Sequence, residues 1–126
     1  MEQEELTGKI IGAAIRVHRE LGPGYLESVY EEALCFELAS AGLRFERQCR
    51  VDVLYRGQCV GEHRLDLLVA ETVVVELKAV VTLQDIYYAT LRSYLRATRK
   101  PVGLLLNFAS VTLQTKRIGP DLPSRP

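Results

Sequence analysis

The chain has 126 residues, nearly half of them apolar and a quarter charged, which fits one globular domain able to bury a core without disulfides or metal staples. Its formal net charge is zero, which argues against a strong sequence-independent polyanion binder but leaves room for a local basic patch. The three cysteines, Cys35, Cys49 and Cys59, lack C-x-x-C spacing, so neither a disulfide framework nor a zinc site is indicated and all three read as reduced, small buried hydrophobes.

The acidic start, Met1 to Glu5, has neither the basic nor the apolar region of a signal peptide and is expected to fray. No run approaches transmembrane length, so the cytoplasm is the expected compartment and no membrane partner is implied. From Leu6 or Thr7, apolar residues recur at Ile10, Ala14, Val17 and Leu21, widened by Ile11 and Ile15, which predicts an amphipathic helix ending at Gly22-Pro23-Gly24. His18 lies near that stripe with no Cys or Ser beside it and reads as a structural histidine.

A second helix is predicted from about Tyr25 to Ser40, with Leu26, Val29, Ala33 and Phe36 on one side and Tyr30, Leu34 and Leu38 widening the face. Glu27 falls in its first turn, where a carboxylate complements the helix dipole by about 0.3 to 1 kcal/mol. Phe45 to Tyr55 alternates as a strand, and Arg56-Gly57-Gln58 turns the chain into a second one from about Cys59 to Val69. Arg44, Arg47 and Arg50 read as a solvated sheet edge.

The third strand, Thr72 to Val80, starts with the β-branched run Val73 to Val75 and then carries Glu76 and Lys78 on one face, Leu77 and Ala79 on the other. If Ala70, Glu71 and Thr72 form a three-residue loop, Val69 pairs with Val73 and Asp66 falls opposite Glu76, with Cβ atoms about 5 Å apart. A two-residue loop would separate the carboxylates onto opposite faces. Facing carboxylates repel, so a cation is expected there: Lys78, or a divalent metal held by Asp66, Glu76 and the Leu77 carbonyl. An ordinary Glu-Lys salt bridge on an exposed sheet face is the structural alternative.

A third helix is predicted from Leu83 to Thr98, with a core stripe of Tyr87, Leu91, Tyr94 and Leu95 and a basic stripe of Arg92, Arg96 and Arg99 on another face. That stripe serves either solubility or phosphate contact. Pro101 opens a buried strand from Val102 to Phe108, in which Asn107 is expected to mark the end by bonding nearby backbone. Val111 to Ile118 forms a short strand or extension, and residues 119–126 read as a tail.

Asp66 followed ten residues later by Glu76-Leu77-Lys78 resembles the D…ExK signature of the PD-(D/E)xK nuclease superfamily. Gly24-Tyr25-Leu26-Glu27-Ser28-Val29-Tyr30 matches the motif of the GxxExxY family, a branch of that superfamily, and Tyr94 to Thr98 and Gly103 to Phe108 are similar to it as well. The family pattern has a glutamine four residues before the tyrosine; this chain has Thr90, with Gln84 further back.

The resemblance implies an α/β, restriction-endonuclease-like fold in one domain spanning residues 1–126, with an ordered part over about 6–118. Its αβββαβ core has a mixed central sheet flanked by helices. It also implies metal-dependent phosphodiester hydrolysis with Mg²⁺ or Mn²⁺, in which Glu27 joins Asp66, Glu76 and the Leu77 carbonyl around the ion and Lys78 orients water or stabilises charge. Tyr30 would orient Glu27, and Arg92, Arg96 and Arg99 would contact nucleic acid, DNA ahead of RNA. A homodimer would allow two strands to be cut. The alternative is a catalytically inactive nuclease-fold module that binds nucleic acid or a protein partner.

Overall fold

Burial of Leu6, Ile10, Ala13, Ala14 and Val17 along one stripe holds the first helix, α1 (Gln3–Leu21), against the sheet. The computed structural model describes residues 1–119; the expected tail beyond Gly119 lies outside them. The helix is wound from Gln3, ahead of the expected Leu6 or Thr7: Leu6 is buried and its N–H bonds to the Glu2 carbonyl. His18 packs near the Phe108 ring and its Nε2 is 2.8 Å from the Ser110 carbonyl, a structural role.

The second helix, α2 (Glu27–Ser40), is followed by β1 (Phe45–Tyr55), β2 (Gln58–Val69), β3 (Val73–Lys78), α3 (Asp85–Thr98), β4 (Val102–Asn107) and β5 (Gln114–Ile118). The strands form one sheet in the order β1-β2-β3-β4-β5. The first three make an antiparallel meander, β3 and β4 run parallel, and β5 returns antiparallel. Parallel neighbours need a crossover, and α3 supplies it. This is the mixed sheet flanked by helices expected of the αβββαβ core.

Two apolar clusters lie on opposite faces. One joins α1 and α2 to Leu67, Val69, Val73, Val75, Leu77, Leu104 and Leu106. The other joins Leu91 and Leu95 of α3 to Leu65, Val74, Leu105 and Ile118. The helix α3 approaches β4 closely: a Cβ on Gly103 would stand 2.9 Å from Leu91 Cδ1, so a side chain there would displace that of Leu91.

The buried face of α2 differs from the expected one. Tyr30, Glu31, Leu34, Cys35 and Leu38 turn inward, while Leu26, Val29 and Phe36 are exposed. Other elements meet that flank: the Phe108 ring stacks on Tyr30 at 4.5 Å, and the Arg47 guanidinium of β1 bonds Glu31 at 2.9 Å and Glu32 at 2.9 Å. Among the edge arginines, Arg44 pairs with Glu71 and Arg50 with Glu62 and Asp52, so the edge is cross-linked as well as solvated. Of the cysteines only Cys35 is buried; Cys49 is half-buried and Cys59 exposed, because the β1–β2 hairpin extends beyond β3.

One irregularity sets up the site. Leu67 and Val69 belong to the α1–α2 cluster but Leu65 to the α3 cluster, whereas strict alternation would put all three on one face. Strand β1 does the same, with Phe45 on one side and Cys49 and Val51 on the other. Main-chain pairing is interrupted between Arg47–Leu67 and Cys49–Leu65, where Gln48 takes a left-handed φ of 52° opposite Asp66. Gln48 Nε2 donates to Glu31 Oε1 at 2.9 Å, so α2 buttresses the kink.

Candidate active site

Leu67 pairs with Val75 and Val69 with Val73, as a three-residue loop requires. One step beyond Leu67–Val75 the strands exchange bonds through side chains. The Asp66 backbone N–H donates to Glu76 Oε1 at 3.1 Å, and the Leu77 N–H donates to Asp66 Oδ2 at 2.9 Å. The two carboxylates are thus brought together where the sheet splays.

Glu76 is only 8% exposed. Burial first and the Asp66 charge second push its carboxyl up to about 9, against the weaker pull of the Asp66 N–H and of Lys78. Asp66 is half-buried. Lys78 makes no ion pair within 4.0 Å among the described residues; its Nζ sits 4.6 Å from the centroid of the Tyr87 ring. An ordinary Glu-Lys salt bridge is therefore not what occupies this face.

Glu27 comes to the site from α2. Gly24, at φ 116°, lets the chain reverse between the helices. Tyr30 fixes that turn: its hydroxyl donates to the Gly22 carbonyl at 2.7 Å and accepts from the Tyr25 N–H at 3.1 Å. Its ring stacks on Phe108 at 4.5 Å, and the Phe108 N–H donates to the Lys78 carbonyl at 2.9 Å. Tyr30 thus orients the start of α2 through the backbone, without bonding Glu27. The Glu27 carboxylate accepts from the Ala79 N–H at 3.4 Å, just past Lys78. It does not close on the other two: among the described residues no three His, Cys, Asp or Glu side chains form a metal-sized cluster.

Asn107 bonds nearby backbone as expected and also something less local. Fully buried, it accepts from the Val80 N–H at 3.0 Å and donates to the Val80 carbonyl at 2.9 Å, which pins the segment after Lys78. Tyr87, read only as core, and Tyr94, read as core and as part of the family motif, belong to the site's surroundings. Tyr87 lies under Lys78, and the half-buried Tyr94 phenol is held above its ordinary range by burial and by the charges of Glu76 and Asp66. Their pattern was indistinguishable from a core stripe because a tyrosine buries its ring and keeps its hydroxyl wet.

Thr90 turns its hydroxyl onto the Ile86 carbonyl at 2.8 Å, and Gln84 is the exposed N-cap of α3. Arg96 and Arg99 line a cleft beside the β1–β2 hairpin; Arg92 is half-buried one turn earlier.

The model of a family described as the PD-(D/E)XK nuclease superfamily matches residues 4–118. Among solved structures, "Crystal structure of SSO0001" is similar over 76% of this chain, with 16% identity and a TM-score of 0.60. The chain spans about half the length of that one, 50%, so the likeness concerns the fold. No curated protein matches. Among the described residues no helix is long and apolar enough to cross a membrane.

Proposed function

The chain belongs to the PD-(D/E)XK nuclease superfamily, and from that premise we propose that it hydrolyses nucleic-acid phosphodiester bonds with Mg²⁺ or Mn²⁺. The observation that supports this best is the crosswise meeting of half-buried Asp66 and buried Glu76, a pair of oxygen donors with no cationic side chain bonded to it. That donor set fits a hard divalent cation. Asp66, Glu76 and the Leu77 carbonyl would hold it, with Glu27 completing the shell directly or through water.

When bound, such an ion supplies Lewis-acid polarisation at phosphorus and activation of the attacking water. The residues do the rest. Lys78, free of a carboxylate partner, orients that water or stabilises charge building on the phosphate oxygens. Tyr30, Phe108 and Asn107 keep the end of β3 and the start of α2 in register. Arg92, Arg96 and Arg99 contact the substrate backbone, with DNA favoured over RNA, and a homodimer would present two such sites.

The test is incubation of labelled single-stranded, duplex and branched DNA and RNA with Mg²⁺, Mn²⁺ or a chelator. Metal-dependent products that identify a substrate class are expected. A second reading, an inactive module that binds nucleic acid or a protein partner, is favoured by Thr90, whose hydroxyl is committed to its own helix. Calorimetry separates the two: a folded wild type that binds neither metal belongs to the module.

A further inference from the structure

Between the protruding β1–β2 hairpin and the C-terminal half of α3 runs a cleft of about 510 Å³, outside the carboxylate site. One wall is Ser93, Arg96, Ala97 and Arg99; the other is His63 with Asp52, Val53 and Leu54. Its donors come from two elements that are independent in sequence, which a simple helix-dipole role for the arginines does not require. Asp52, the one acid in it, is engaged by Arg50 at 3.4 Å. Arg96 Nη2 reaches Ser93 Oγ at 3.4 Å, so the two face the same space. Arg99 takes part in none of the ion pairs among the described residues and stands at the left-handed residue that ends α3.

The cleft adjoins the carboxylates through one residue. The His63 ring packs edge-on against Tyr94 at 4.5 Å, and it is the Tyr94 phenol that feels the charges of Asp66 and Glu76. From Tyr94 to Arg99 the helix rises about 7.5 Å. We propose that this cleft binds a backbone phosphate of the nucleic-acid strand, flanking the phosphate that is cut, with Arg99, Arg96, Ser93 and His63 as donors and Val53 and Leu54 against the adjoining sugar or base. The inference rests on the nuclease reading and adds to it the groove that the strand follows. Charged donors on phosphate with an apolar wall beside them are the usual construction of a strand-tracking groove.

The test is fluorescence anisotropy of a short labelled single-stranded oligonucleotide in Ca²⁺ at several salt concentrations, with circular dichroism to establish that each variant is folded. Arg99→Ala and His63→Ala should each weaken binding, the former by about tenfold and with a log–log salt slope smaller by about 1. Lys9→Ala, on α1 across the sheet, should bind as wild type. Equal binding by the cleft variants, or an equal loss in Lys9→Ala, overturns the cleft while leaving the nuclease reading to the cleavage assay. A wild type that neither binds nor cuts any nucleic acid overturns both.

Discussion

Glu76 lies in a place that favours the acid. Its folded-state pKa, about 9 against an ordinary 4.5, means that the metal-free native state holds a proton that the unfolded chain gives up. The stability this contributes is fully present below about 4.5 and is lost as pH rises through about 9. In chelator, the unfolding free energy of wild type relative to Glu76→Gln should therefore fall across that window, as urea titrations at several pH values will show. A flat difference would mean that Glu76 is already ionised. Lys78 is the second residue whose role depends on one contact, the Tyr87 ring. Such a contact is worth about 0.5 to 1 kcal/mol at an exposed site. Tyr87→Phe should cut like wild type and Tyr87→Leu severalfold more slowly at unchanged metal affinity; equal rates would detach Tyr87 from Lys78. The facing of Asp66 and Glu76 was legible because only an odd loop satisfies both the valine run and the polar pair. Tyr87 and Tyr94 were not, since residue type alone cannot separate a core tyrosine from one whose hydroxyl rims a site.

At the scale of elements, strand limits could be read where turn chemistry was strong: Arg56 and Gly57 both take positive φ between β1 and β2. The buried face of α2 could not. Leu26, Val29 and Phe36 on one flank and Tyr30, Leu34 and Leu38 on another are equally apolar, and the decision is made by Arg47 and Phe108 on other elements. The kink at Gln48 and Asp66 was hidden for the same reason, because its support is a bond to Glu31 on α2. Removing Glu31 leaves Arg47 and Gln48 each short of an acceptor, so Glu31→Ala should cost about 1 to 3 kcal/mol and weaken Mn²⁺ binding. Glu32→Ala, which takes an exposed partner from the same arginine, should stay within about 0.5 kcal/mol. If urea unfolding and calorimetry find the two variants alike, the kink does not depend on α2.

For the whole molecule, the order of elements carried the fold. A helix pair, a three-stranded meander, a crossover helix and a buried strand admit few arrangements besides a sheet with helices on both faces, and the family match over residues 4–118 agrees. The proposed chemistry draws on four residues from three elements. Asp66 and Glu76 come together, Lys78 stands clear of them over Tyr87, and Glu27 reaches the backbone beside Lys78. The most direct test of the account is cleavage of one labelled substrate in Mn²⁺ by wild type, Asp66→Asn and Lys78→Ala, each shown to be folded and titrated with the metal. Metal-dependent products are expected from wild type alone, with metal binding lost in Asp66→Asn and kept in Lys78→Ala. Products of undiminished rate from either variant would contradict the account.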